Sequence, residues 1–289
     1  MIKLFMKIKD RTKSPKRVIW FLVSLAVILA GILLYPGKTS TAPDLSYRFR
    51  FMLEHNLLVT DQLTYESTSE AFENIRPSVV QIHVGSTYGG GSIWKIGSDD
   101  IEIITNRHVI QNFAAQAQTD VNSNYVTFFD GEAARVELIG VSAQYDVGLV
   151  KVPVSELTEA ELCSLRSVRI DEAAWQKVAE GTTMFCVHSQ DIMRNGPDDD
   201  LVVADGTGTG IADQSYIGVV SDTSAYIEDL GQNMMYCMCY AQAGMSGGGM
   251  FDAYGNLIGM VTGGTQQNET VSVSLPDILA ACSEIENGK

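Results

Sequence analysis

From Ser78 onward the chain is a succession of short β-type runs cut by glycine and aspartate turns, and this spacing constrains the fold of the 289 residues more than any other feature. Val79-Val80-Gln81-Ile82-His83-Val84 alternates. Ile101 to Ile104, Tyr125 to Phe129, Arg135 to Ile139 and Gly148 to Val152 follow, with turns such as Asp130-Gly131 between them. After a more polar stretch from Ser155 to Trp175, with helix-forming runs Glu156 to Leu165 and Asp171 to Ala179, a second series begins. It comprises Thr183 to Val187, Tyr216 to Val220, Met234 to Tyr240, Leu257 to Val261 and Thr270 to Leu275, and a helix over Pro276 to Ile285 closes it. Strands this short and this evenly spaced suit antiparallel barrels. The polar stretch reads as the crossing between two of them.

Inside the second series lies Ala243-Gly244-Met245-Ser246-Gly247-Gly248-Gly249. Glycine lets backbone turn through conformations that side chains forbid, so several N–H groups can point into one small space. Such a space stabilises charge on a carbonyl oxygen under attack. Ser246 is the candidate nucleophile. A serine hydroxyl needs a base to take its proton, and the imidazole that does so needs a carboxylate to orient it. His108, in Ile104-Thr105-Asn106-Arg107-His108-Val109-Ile110, and Asp146, in Tyr145-Asp146-Val147-Gly148-Leu149-Val150-Lys151-Val152, supply one of each.

These three blocks, in the order His, Asp, Ser, resemble the catalytic blocks of the chymotrypsin-like serine proteases in their bacterial HtrA/Deg-like form. Arg76-Pro77-Ser78-Val79-Val80 resembles the opening of that protease domain, Gly89-Gly90-Gly91-Ser92-Ile93 its first glycine turn, and Leu257 to Gly264 the strand lining its substrate pocket. The resemblance spans about residues 70 to 285. It implies two antiparallel six-stranded β-barrels, about 77–155 and 178–275, within a protease domain over 67–289 that ends in a helix. It also implies a serine endopeptidase with His108, Asp146 and Ser246 as triad, and with the amides of Gly244 and Ser246 as oxyanion hole. Tyr240 falls at the base of the primary specificity pocket, with Thr262, Gly263 and Gly264 along its wall and Thr262 behind Asp146. No acidic side chain stands at the base, which points to a small or medium apolar residue before the scissile bond. No cofactor or metal is implied, and the substrates are polypeptides.

The departures from the family are informative. Met245 precedes the serine where the digestive enzymes carry aspartate and HtrA-like enzymes usually asparagine, so activation by an inserted N-terminus is not expected. Gly148 stands where alanine is usual. The tail from Leu275 to Lys289 is too short for the PDZ domain that typically follows in HtrA proteins. Met245 and the long interval from Asp146 to Ser246 also support an alternative reading: a latent or inactive protease-fold binding or scaffolding module in the cell envelope.

The N-terminal part has a different character. Residues 1–17 carry seven basic residues against Asp10 alone, net +6, whereas the remainder carries 13 basic and 34 acidic residues, net −21. Val18 to Tyr35 is uncharged and apolar, and as a helix it reaches about 27 Å, close to a bilayer core. By the positive-inside rule residues 1–17 stay cytoplasmic, 18–35 anchor the chain in the cell membrane, and the bulk lies outside. The rival reading is a cleavable signal peptide processed near Ser40-Thr41-Ala42. Residues 36–66 then form a linker and a juxtamembrane helix from Asp44 to about Leu58, which either packs on its own domain or serves self-association. HtrA relatives often trimerise through such segments, so the resemblance implies a homotrimer. Ser67-Thr68-Ser69-Glu70 carries a capping-box pattern before Pro77.

Other clusters carry bland readings. Asp198-Asp199-Asp200, between Gly196-Pro197 and the repeat Asp205 to Gly210, lacks the spacing of a calcium loop and reads as a solvated insertion. The glycine repeat ends in no Lys-Ser/Thr, so it is no phosphate loop, and net acidity excludes nucleic acid as a partner. His55, His83 and His188 have no partner motif. Cys163, Cys186, Cys237, Cys239 and Cys282 show neither zinc nor CxxC spacing and read as buried apolar residues, with Cys237 and Cys239 on one strand face.

Overall fold

The computed structural model describes residues 71–119, 123–189, 192–193, 202–203, 213–264 and 268–288. The expected cytoplasmic segment, membrane anchor, linker helix and capping box lie outside these residues, as do Asp198–Asp200 and the glycine repeat. No helix among the described residues is long and apolar enough to cross a membrane.

The first sheet comprises β1 (Val79–Val84), β2 (Thr87–Ile96), β3 (Asp100–Thr105), β4 (Asn124–Phe128), β5 (Ala133–Arg135), β6 (Glu137–Val141) and β7 (Gly148–Pro153). A short helix α1 (Phe113–Thr119) follows β3. Every paired strand runs antiparallel, in the order β5-β4-β1-β2-β3-β7-β6. Seven strands stand here where six in a closed barrel are expected. The reason lies at Val136. The expected strand Arg135 to Ile139 breaks there into β5 and β6, which sit at opposite edges of the sheet although that one residue joins them. The sheet therefore curls until its edges meet at Val136, whose N–H donates to the Asn124 carbonyl at 3.3 Å and whose side chain enters the core. That core holds Val80, Ile82, Ile93, Ile101, Ile103, Val126 and Val150, all fully enclosed.

A second correction concerns Gly89-Gly90-Gly91. These glycines lie inside β2, paired with β1 from Gly89↔Ile82 to Gly91↔Val80. They form no turn. Their lack of side chains serves packing instead: a Cβ on Gly89 would meet the Ser246 carbonyl oxygen at 2.7 Å, and one on Gly90 would meet the Gly248 nitrogen at 2.7 Å. The serine loop lies flat against the strand there.

The crossing carries α2 (Glu159–Ser164) and α3 (Glu172–Trp175), both shorter than their sequence patterns suggest. Helix α2 starts at a capping box in which the Thr158 hydroxyl accepts from the Glu161 N–H and the Glu161 carboxylate accepts from the Thr158 N–H. The second sheet is a closed six-stranded barrel of β8 (Thr183–Ser189), β11 (Asp213–Ile227), β12 (Gln232–Met238), β13 (Gly249–Asp252), β14 (Leu257–Gly264) and β15 (Glu269–Ser274). Between β8 and β11, Ile192–Met193 (β9) and Val202–Val203 (β10) pair as a two-stranded ribbon in what reads from sequence as a solvated insertion. Strand β11 is far longer than the expected Tyr216 to Val220 and projects with β12 as a hairpin. Helix α4 (Leu275–Asn287) closes the chain and buries Leu275, Ile278, Ala281, Cys282 and Ile285.

Met245, the departure noted before the serine, is fully buried in the barrel core beside Met184, Met235 and Met250. An apolar anchor thus replaces a charged one beneath the serine loop. Four cysteines are buried as expected, but Cys163 is exposed on α2, and the Cys239 sulfur faces Cys186 at 3.5 Å.

Candidate active site

His108 follows β3, whose last residues Ile103, Ile104 and Thr105 are buried, so the strand ends at the sheet rim and delivers the imidazole to the surface. Asp146 closes the loop between β6 and β7. Its carboxylate grips His108 twice: Oδ2 lies 2.7 Å from Nδ1, and Oδ1 accepts the His108 backbone N–H at 3.0 Å. The second bond fixes the carboxylate against the base's own backbone. A ring held in this way has its tautomer set, with Nδ1 donating and Nε2 left to accept a proton.

Ser246 sits on the loop between β12 and β13. A turn runs from Gln242 to Met245, closed by the Met245 N–H to the Gln242 carbonyl at 3.1 Å, with Gly244 at φ +90°. A positive φ at the third position marks a type II turn, which glycine alone adopts without strain. Within the loop, the Gly247 N–H bonds the Val261 carbonyl and the Gly248 N–H bonds the Met245 carbonyl. The Gly244 and Ser246 N–H groups have no acceptor among the described residues. Two neighbouring unpaired amides on a glycine turn can receive an anionic oxygen.

Thr262 links the two halves. The Ser246 hydroxyl donates to the Thr262 carbonyl at 3.1 Å. The Asn106 side-chain amide donates to the Asp146 carbonyl at 2.9 Å and to Thr262 Oγ1 at 3.4 Å. The structure therefore brings His108 and Asp146 into direct contact and connects Ser246 to Asp146 through Thr262 and Asn106. No hydrogen bond joins Ser246 to His108, or Thr262 to the Asp146 carboxylate, among the described residues.

The expected pocket residues take these positions. Tyr240 follows β12, its ring 4.9 Å from that of Tyr216 and its hydroxyl donating to Gln242 Oε1 at 2.8 Å. Thr262 occupies a bulge of β14, opposite no single residue of β15. Gly263 pairs with Val271 and Gly264 with Thr270. A Cβ on Gly264 would stand 2.5 Å from the Ala241 Cβ, so position 264 has no room for a side chain. A groove of about 970 Å³ lined by His108, Asp146 and Thr262 extends to Leu230 and Asn233 of the β11–β12 hairpin and to Asp277. No cluster of metal-ligating side chains stands among the described residues.

Several residues of this region escape a motif reading. Thr105 and Asn106 belong to the histidine block but carry their own tasks, Thr105 by donating to the Gly90 carbonyl at 2.8 Å. Arg107 Nη1 donates to the Ser142 and Ala143 carbonyls at 2.9 and 3.1 Å. Ser142 and Glu284 form a further layer behind Asp146 and carry no local signature. Tyr145, beside Asp146, has its phenol pushed up by partial burial and then by the charge and hydrogen bond of Asp277.

Residues 91–260, which hold His108, Asp146 and Ser246 and make up more than half of the chain, match the family described as the trypsin-like peptidase domain. The chain belongs to that family. It is a serine endopeptidase by class, with a chymotrypsin-like fold of HtrA/Deg type. Among solved structures it is similar to Deg5, with a TM-score of 0.55 and 19% identity over 75% of this chain and 94% of that one. The HtrA-type protease AlgW with a tripeptide superposes with a TM-score of 0.57 and 17% identity, over 78% of this chain and 65% of AlgW. No curated protein matches the sequence.

Proposed function

We propose that the trypsin-like peptidase cleaves polypeptides outside the cytoplasm through His108, Asp146 and Ser246, tethered to the cell membrane by residues 18–35. The observation that carries the reading is the double grip of Asp146 on His108, with unpaired Gly244 and Ser246 amides on the neighbouring loop. In the reactive complex the Ser246 hydroxyl leaves the Thr262 carbonyl and donates to His108 Nε2 instead. Catalytic hydrogen bonds often tighten in this way only when substrate is present. His108 then takes the proton as Ser246 attacks the peptide carbonyl, and the new oxyanion receives the Gly244 and Ser246 amides. The imidazolium gives its proton to the leaving amine, and water, activated by the same imidazole, hydrolyses the acyl-enzyme.

Tyr240, rather than an acidic residue, at the expected base of the primary pocket favours a small or medium apolar side chain before the scissile bond. Cleavage of a peptide library mainly after arginine would contradict this. The anchor reading draws on the charge asymmetry about Val18 to Tyr35, and a mature chain beginning near Pro43 would end it.

The deciding experiment is covalent labelling of the full-length chain with a fluorophosphonate. Labelling is expected in the native chain and absent in Ser246→Ala, whose kcat on peptides should fall by roughly 10⁴- to 10⁶-fold. Equal labelling of both would refute the nucleophile. A lack of labelling in both would favour the alternative, a latent or scaffolding module, whose support is the Ser246 hydroxyl's bond to Thr262.

A further inference from the structure

The loop from Ser142 to Asp146 has no strand partner, so its backbone polar groups must be satisfied otherwise. Ser142 N–H bonds the Val147 carbonyl at 2.9 Å, and Ser142 Oγ accepts the Gln144 and Tyr145 N–H groups at 3.1 and 3.0 Å. Ser142 is fully buried. Its hydroxyl proton goes to Glu284 Oε2 at 2.5 Å, and the Ala143 N–H goes to Glu284 Oε1 at 2.9 Å. One carboxylate from α4, distant in sequence, thereby holds the loop directly and through the serine that organises it. These bonds, the Ser142 one foremost, hold the Glu284 carboxyl below its ordinary range. The opposite side of the loop is held by Arg107, the neighbour of His108.

Helix α4 reaches the loop because β6 has Gly140 in its path, where a Cβ would meet Ile285 Cγ2 at 2.8 Å. Ile285 is buried and adjoins Glu284, so the same close approach that packs the helix delivers the carboxylate.

We propose that Glu284 is a positioning residue for Asp146. By clamping Ser142 and Ala143 it holds the loop in the one arrangement that keeps both Asp146 oxygens on His108. The inference rests on the triad reading above. Glu284 touches neither His108 nor Ser246; it acts through the loop, and its charge also faces Arg107, which holds the same loop.

The test uses the full-length chain with Glu284→Ala, Glu284→Gln and, as a control on the same helix, Glu286→Ala. Two readouts are needed. The first is the low-field NMR resonance of the His108 Nδ1 proton shared with Asp146, recorded in the Ser246→Ala background and thus independent of reactivity. It is expected to broaden or vanish in Glu284→Ala, weaken in Glu284→Gln, which retains one accepting oxygen, and persist in Glu286→Ala. The second is the fluorophosphonate labelling rate, expected to fall about ten-fold in Glu284→Ala and to stay within about two-fold in Glu286→Ala, since sub-ångström misplacement of catalytic groups is costly. Ser142→Ala and Glu284→Ala together should lose less than the sum of their separate effects, because both act through one network. An unchanged resonance in Glu284→Ala, or additive losses in the double variant, would overturn the proposal. If the native chain is not labelled, the active-protease reading gives way to the latent or scaffolding one, while the resonance still decides the role of Glu284. If Glu284→Ala does not fold, Glu284→Gln decides alone.

Discussion

Replacing Gly90 by alanine tests whether the serine loop is positioned by backbone contact with the first sheet. Gly90 lies mid-strand in β2 at an ordinary backbone conformation, so the substitution brings no dihedral strain and isolates the steric effect. The added Cβ would stand 2.7 Å from the Gly248 nitrogen and 2.8 Å from its Cα, both backbone atoms that no rotamer change can move aside. Ordinary contact begins near 3.4 Å, so the loop must retreat by about 0.7 Å. That retreat pulls on the bond from the Gly90 N–H to the Ser246 carbonyl, now 2.7 Å, at the residue carrying the nucleophile. Overpacking of this kind costs about 1–3 kcal/mol, and a displacement approaching 1 Å at a catalytic group slows reaction by up to about 100-fold. Thermal unfolding followed by circular dichroism should show a Tm lowered by roughly 3–10 °C. Fluorophosphonate labelling should slow by about 10- to 100-fold. A variant that melts within 1 °C of the parent and labels at the parent rate would refute the contact.

Two further outcomes follow from the titratable groups. The Tyr236 hydroxyl donates to Glu269 at 2.5 Å, and this bond, with burial and the carboxylate's charge, pushes the phenol up to about 12. A group raised in the folded state stabilises it fully below the unfolded value of 10.0, and the contribution is lost as pH climbs from there towards 12. In Glu269→Gln, ultraviolet titration of the phenol should shift to lower pH, and an unshifted curve would refute the pairing. Cys282 is pushed up to about 12 by burial, and Cys237 is raised further for the same reason, while Cys163 is exposed. Iodoacetamide at neutral pH should therefore modify Cys163 first in the native chain, and mass spectrometry showing earlier modification of Cys237 would contradict the burial.

Local pattern was enough to mark β1, β3, β4, β7, β8, the middle of β11, β12, β14 and β15, the closing helix, and the blocks holding His108, Asp146 and Ser246. Each of these depends on neighbours in sequence: alternation writes a strand, and a serine among glycines writes a tight turn. What the pattern missed shares one cause. That Gly89 to Gly91 form a strand against the serine loop depends on Ser246 and Gly248, far downstream. That β5 and β6 part at Val136 depends on which edges of the sheet each can reach. That Met245 anchors the loop depends on a pocket lined by Met184, Met235 and Met250. The clamp of Glu284 on Ser142 joins an exposed helical acid to a buried serine, and neither residue type carries a signal of the other. Sequence alone thus determined most of the elements and the residue types on offer. Only the tertiary structure decided which backbone closes on which, because packing contacts and buried hydrogen bonds are set by distance in space rather than along the chain.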